Sequence, residues 1–437
     1  MRARPASPTP RTDRLIHGLA IGIIALLMLL SPMALNGIGW NYDGLGGAGP
    51  TRFHPSMYLT LITFIVIALR DGNPLASVLS TFAQDARVTL FLLIWILVFW
   101  HGVANQGLPA AGLIDTYLMP MLLLLIFRRL EDETKARMVM VIHGVFAANA
   151  LLGIGEVVTG LRLTPYVAGG ILITDDWRAT ALLGHPLGNA LMTGCYVMFL
   201  MMGGGQEVQG RWRNATLAMQ CAAMVAFGGR ASLVLLLLFL LATLGLKVVR
   251  FLAGARVDLR FLTLLAVLLP VGISVLGLAF ELGVFDRLIL RFVDDNDSAN
   301  ARVKMFELFH GFTLEEILFG PQQDHLGYLV RVYRLEFGIE SVWVAFTLYY
   351  GFLPMVLFFT GFFLFMTSVM THCQRRGWVV VGYFFLVNTT FLGIAGKSLG
   401  VSILCLMLLL LVPRYGSYAE RLPRQAPSFP REARPAC

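Results

Sequence analysis

Charge is what this chain has least of. Only 14% of its 437 residues are Asp, Glu, Lys or Arg, against 57% hydrophobic, and mean hydropathy is +0.73. An average soluble domain carries roughly 25% charged residues, so the composition points to a polytopic helical membrane protein. Cysteine is nearly as scarce, at five. Cys195, Cys221 and Cys405 fall in apolar runs, Cys373 in a short basic stretch and Cys437 at the end, so no disulfide framework is implied. No CxxC or His/Cys spacing suggests a metal site. The short alternating segments of a membrane β-barrel are missing, as are an alignable repeat, a low-complexity tract and a second soluble domain.

What is present is a series of long apolar runs. A membrane helix needs roughly 20 mostly apolar residues, and breaks at charge, Gly and Pro divide the chain into about twelve spans: 15–35, 53–69, 88–104, 110–127, 138–158, 181–202, 214–228, 231–250, 260–280, 340–369, 378–395 and 398–413. The expected fold is all-α, a membrane helix bundle. Its parts are a disordered tail over 1–14, helices one to nine over 15–280, a polar loop over 281–340, helices ten to twelve over 341–413 and a disordered tail over 414–437. The first run follows Arg2, Arg4, Arg11 and Arg14 but lacks a small-residue cleavage site at Ser31–Leu35, and reads as a retained helix.

Basic residues near helix ends stay on the cytoplasmic side. With both termini inside, 23 of the 34 Lys and Arg lie in inside segments and 11 in outside ones, six of these in the long loop. Loop 281–340 is therefore expected to face the exterior or periplasm. The net charge of +8 then sits where anionic lipid attracts it, and no nucleic-acid partner is called for.

That loop concentrates chemistry that the rest of the chain lacks. It holds Arg287, Arg291, Arg302, Lys304, Arg331 and Arg334 among eleven acids, with His325 beside Asp324. Within it, Val303, Phe306, Phe309 and Ile317 recur at helical spacing, which predicts an amphipathic helix on the membrane surface or bundle, with Arg302 in its first turn near a Ser298 or Asn300 cap. Glu340-Ser341 opens the next span, as a dipole-favoured carboxylate or as a general base. Two further sites lie outside the loop. Phe227-Gly228-Gly229-Arg230 puts an arginine at the membrane edge, where it is either a functional group or a snorkelling residue in a short turn. Arg178 precedes Gly184-His185-Pro186, a helix start whose backbone N–H groups suit an anion, although His185 also suits a plain interhelical hydrogen bond.

In motif order and topology over most of its length, the chain resembles the O-antigen ligase and Wzy-type polysaccharide polymerase superfamily of inner-membrane glycan-assembly proteins. The matching parts are Arg178 to Pro186, the Gly229-Arg230 turn, the Arg302-headed helix ending in Ile317-Leu318-Phe319-Gly320, and Glu340-Ser341 eleven residues before Gly351. Ligases of the family place histidine where this chain has Glu340, a departure that leans toward the polymerases. The resemblance implies a bacterial inner-membrane glycosyltransferase without a cofactor or metal. Its donor would be an undecaprenyl-pyrophosphate-linked oligosaccharide and its acceptor a second glycan, with a chain-length regulator and a flippase as partners.

Arginine suits a diphosphate, because its planar fork bonds phosphate bidentately and stays charged. On this reading Glu340, Arg302 and Arg230 are catalytic, and Arg178, His185, Arg291, Arg334 and His325 bind substrate. Two other readings stand: a ligase differing only in its acceptor, and a twelve-span transporter or flippase. The transporter would place ionisable groups near the midplane, where His101, His143 and Glu156 are scattered candidates. The cation count makes one direct prediction. Asp324→Cys in intact cells should react with a membrane-impermeant maleimide while Cys373 does not; the reverse labelling would invert the topology.

Overall fold

The computed structural model describes residues 10–42, 49–168, 171–174, 176–254, 298–335 and 339–421. The chain is predominantly helical. Among the described residues the only strand pairing is a hairpin of Val167–Ala168 with Ile171–Leu172. The elements that matter here run in this order: α1 (Pro10–Leu29), α2 (Pro32–Gly37), α3 (Pro55–Arg70), α4 (Pro74–Ala83), α5 (Ala86–Trp100), α6 (Ala110–Leu113), α7 (Met119–Phe127), α8 (Asp132–Thr159), α9 (Pro186–Met201), α10 (Gly210–Phe227) and α11 (Arg230–Leu252). After them come α12 (Ser298–Glu307), α13 (Leu314–Phe319), α14 (Gln323–Val332), α15 (Val342–Tyr350), α16 (Phe352–Met370), α17 (Gly377–Asn388), α18 (Gly400–Leu411) and α19 (Tyr418–Arg421).

Where the apolar runs suggest about twelve spans, five helices among the described residues are long and apolar enough to cross a bilayer. A sixth results if α3 and α4, bent 107° at Asp71-Gly72-Asn73, count as one. Three further apolar helices, α9, α17 and α18, are shorter. Run 260–280 lies outside the described residues. Hydropathy cannot register the breaks that shorten the rest. The run expected over 340–369 divides at Gly351, and π-helical turns follow α5 at His101–Asn105 and α6 at Ile114–Leu118.

The core is aromatic. Phe91 of α5 stacks on Phe365 of α16 at 5.2 Å and meets Phe358 and Phe362 edge-on or tilted, both at 5.8 Å, while Tyr117 stands edge-on to Phe358 at 4.7 Å. Such pairs add about 0.5–1.5 kcal/mol each beyond area burial. At the end of the bundle where α5 begins, Asp85 caps α5 and accepts from Arg128 after α7 and Ser368 of α16, both at 2.5 Å. Burial works against that carboxylate, but these two bonds and the Arg128 charge hold its pKa down at about 2.

Two local expectations are corrected by packing. The single amphipathic helix over 298–320 breaks into α12, a 3-10 turn at Leu308–Gly311 and α13, because Thr313 caps a new helix through reciprocal bonds with Glu316. Its buried side is also different: Val303 and Phe306 are 60% and 57% exposed, whereas Met305 and Leu308 are packed inside. The described parts of the stretches read as tails contain helix. α1 starts at Pro10, and beyond α18 Ser417 and Tyr418 are buried, with Ser417 donating to Glu207 at 2.5 Å.

The polar segment joins the bundle through two glycines. Gly320 ends α13 and Gly351 separates α15 from α16, with φ of +100° and +97°. The two meet back to back: a Cβ on Gly351 would stand 2.6 Å from Gly320 N and 2.5 Å from the Phe319 carbonyl carbon. At φ +97° and ψ +154°, Gly351 occupies a region open essentially to glycine alone. His101 Nε2 lies 2.9 Å from the carbonyls of both Phe319 and Tyr350, so its neutral ring carries the proton there and donates across the joint. Gln106 donates to Phe319 and Gly320. Gly351→Ala should destabilise the protein by roughly 2–5 kcal/mol, from backbone strain plus overpacking, read as a lower thermal midpoint in detergent; an unchanged midpoint would remove the joint from the account.

Candidate functional site

The site starts from one buried carboxylate. Glu156, near the end of α8 and 6% exposed, accepts the backbone N–H of Leu163 at 2.9 Å through Oε1, and those of Thr180 at 2.7 Å and Ala181 at 3.0 Å through Oε2. About two turns earlier on the same helix, Asn149 Oδ1 accepts from Leu182 at 3.0 Å. Asn189 of α9 donates to the Thr180 carbonyl at 2.7 Å. Backbone groups that leave a helix need partners in a dry interior, and these side chains supply them. They hold Ala181 at φ +39°, a region costing an L-residue roughly 1–2 kcal/mol. Glu156 is thus the anchor of the 160–185 connection and not an isolated midplane acid.

On that frame sits Arg178, 8% exposed. Its Nε donates to both Asp176 oxygens at 3.0 and 2.8 Å, its Nη2 to Oδ2 at 2.5 Å, and its guanidinium lies 5.8 Å from the Tyr166 ring. Burial lowers its pKa, but the Asp176 bonds and charge outweigh this and the net shift is upward. Arg162 donates to the Arg178 carbonyl at 3.2 Å, and its guanidinium lies 5.9 Å from the centre of the Tyr166 ring. His185 caps α9 by accepting the Leu187 N–H on Nδ1 at 3.2 Å, and meets Tyr166 edge-on at 5.6 Å. With Nδ1 so engaged, the neutral ring carries its proton on Nε2 and offers a donor.

The Gly228-Gly229-Arg230 corner closes over this cluster. Gly228 ends α10 at φ +61°, and a Cβ there would stand 2.9 Å from Arg178 Cγ. A Cβ on Gly229 would reach 2.4 Å from Ala190 of α9. Ala179 N–H donates to the Ala226 carbonyl at 3.1 Å. The stem of Arg178 therefore lies in the notch where α10 turns into α11, whose first residue is Arg230. Two sequence-predicted sites, at least 41 residues apart in number, meet here.

The remaining candidates are elsewhere or beyond description. Arg291 lies outside the described residues. Arg302 belongs to α12, and its side chain is outside them too. Glu340 is half-buried, immediately before Ser341, which precedes α15. Arg334 is exposed with φ +56° just past α14. His325 is exposed on α14, edge-on to Phe312 at 5.2 Å. No described hydrogen bond or ion pair joins Arg178 to this segment.

Sequence reading missed Tyr166, the hub of the cluster, because an aromatic in a loop carries no signal of its own. It also missed a second polar group at the same end of the bundle. Asp115, fully buried on the π-helical turn, accepts from Tyr42 Oη at 2.9 Å and His54 N at 3.0 Å. Lys397 donates to the Tyr42 carbonyl at 2.7 Å and lies 3.3 Å from its ring centroid. A lone Asp in an apolar run was the only available clue. Among the described residues no three His, Cys, Asp or Glu side chains group to hold a metal ion.

No family model matches the chain, and no curated protein or solved structure is similar to it.

Proposed function

We propose that the chain is a polysaccharide polymerase that transfers glycan from a polyprenyl-pyrophosphate carrier to an acceptor repeat unit at the outer membrane face. The observation that carries this reading is the meeting of Arg178 with the Gly228-Gly229-Arg230 corner. Two cations come to one end of the bundle, beside the neutral donor His185, at a level where a lipid-borne diphosphate lies. Arg178 spends Nε and Nη2 on Asp176 and Tyr166, so Nη1 is its remaining donor edge. Arg230, at the first turn of α11, adds charge where the helix dipole is also positive.

Glycosyl transfer requires stabilisation of the departing diphosphate and removal of the acceptor hydroxyl proton. Electrostatic donors of this kind are worth about 10²- to 10³-fold each, and a positioned base about 10²- to 10⁴-fold. Glu340 is the proposed base, and Arg302 the cation brought by α12. The transporter reading loses support, since Glu156 is spent on three backbone N–H groups and His101 on two carbonyls. The ligase reading differs in acceptor alone.

Arg230→Ala and Arg302→Ala should each cut surface-glycan yield or chain length by at least about tenfold at normal protein levels; unchanged glycan in both would refute glycan transfer. Single repeat units accumulating on the carrier in a deletion strain would support polymerase, whereas finished chains would indicate a ligase.

A further inference from the structure

At the other end of α9 the chain gathers buried polar atoms that the proposed reaction does not use. The helix ends at Met201 and turns through Gly203-Gly204-Gly205, where φ is +80° at Gly203 and +57° at Gly205. Sixteen residues of helix put this turn about 24 Å from His185. The turn cannot carry side chains. A Cβ on Gly204 would stand 2.8 Å from the Leu411 carbonyl oxygen, and one on Gly203 3.1 Å from Arg376 Nη1.

Two arginines flank this turn. Arg213, in the first turn of α10, donates through Nη2 to the carbonyls of Gly204 and, at 3.1 Å, Gly205. The side chain of Arg376, directly before α17, makes no hydrogen bond or ion pair with a described residue. Each has a buried Nε without an acceptor, while both side chains stay partly open to the surface. Burial first, and the neighbouring Arg213 charge second, pull the Arg376 pKa below its ordinary value. Two like charges held this close repel unless something of opposite sign lies between them. Glu207 is the described carboxylate whose charge reaches Arg213, but it makes no ion pair with either arginine: Oε1 accepts from Ser417 at 2.5 Å, and Oε2 lies 3.7 Å from His143 Nε2, beyond hydrogen-bond distance. His143 itself is 7% exposed, and that nitrogen, aimed at Gly205, has no hydrogen-bond partner.

We propose that Arg213 and Arg376, set about the Gly203-Gly204-Gly205 turn, form a phosphate-binding seat on the face opposite Arg178. The glycines let two guanidinium groups approach one point, and planar forks match phosphate oxygens where ammonium groups do not. Phosphate reaches such a seat either as a lipid headgroup or free in solution. In the orientation read from the cation count this face is cytoplasmic, where anionic lipid is concentrated.

The purified full chain in neutral detergent distinguishes these sources by thermal unfolding, with the midpoint followed against two probes. One is inorganic phosphate titrated against chloride at equal ionic strength; the other is phosphatidic acid titrated against phosphatidylcholine. At least one probe should raise the midpoint, and Arg376→Gln should weaken its apparent affinity by about tenfold, the loss of one charge-assisted contact. Arg375→Gln, which removes the same charge from the exposed neighbouring position, should leave it unchanged. A response to phosphatidic acid alone assigns a lipid headgroup, and a response to inorganic phosphate assigns phosphate itself. Because the Arg376 side chain makes no hydrogen bond with a described residue, its Gln variant keeps the fold's hydrogen bonds; should it fail to fold, Arg376→Lys keeps the charge and loses the fork, and should bind more weakly than wild type. The proposal is overturned if neither probe shifts the midpoint, if the Arg376 variant binds as wild type does, or if Arg375→Gln weakens binding equally.

Discussion

A helix that breaks inside a bilayer exposes peptide groups that water cannot reach, and each one left alone costs several kcal/mol. This constraint organises the molecule. Glu156 and Asn149 receive the N–H groups freed between α8 and α9, and Asn189 reaches a freed carbonyl. His101, Gln106 and Gln323 do the same for carbonyls at the breaks beside Gly320 and Gly351. Polar side chains in the apolar runs are mostly explained by this task. They exist because the helices stop early.

Close backbone approach is the second half of that arrangement. Gly320 against Gly351, Gly228 against the Arg178 stem and Gly229 against Ala190 each place atoms where a Cβ would collide. The result is a bundle end in which the 160–185 connection, the α10–α11 corner and the α13–α16 joint are all pinned. Rigid support of this kind is what positioned arginines require, because electrostatic stabilisation is lost when the donors must reorganise.

The two ends of the bundle are held differently. At the Arg178 end charge is held in the connections between helices, with Asp176 on Arg178 two residues away and Tyr42 under the distant Lys397. At the opposite end it is networked across helices, as Asp85 ties α5 to Arg128 and Ser368. Arg213 and Arg376 stand apart from both patterns, since neither forms an ion pair with a described carboxylate and each keeps a buried Nε without an acceptor.

By itself the amino-acid sequence determined the class. Scarce charge and recurrent apolar runs leave few alternatives to a helical membrane protein, because hydrophobic length and the demand for backbone hydrogen bonding act locally along the chain. It also made Gly229-Arg230, Arg178 to Pro186, Gly320 and Gly351 legible, since a glycine or a lone cation in an apolar context already signals close approach or a membrane edge. Tertiary structure alone decided where the apolar runs break, that Met305 and Leu308 rather than Val303 and Phe306 turn inward, and that Glu156 anchors a loop. It also decided that Arg178 meets the α10–α11 corner while Tyr166 stands at its centre. These depend on contacts between residues far apart in the chain, whose burial and partners are properties of the neighbours they meet and not of their own positions in the sequence.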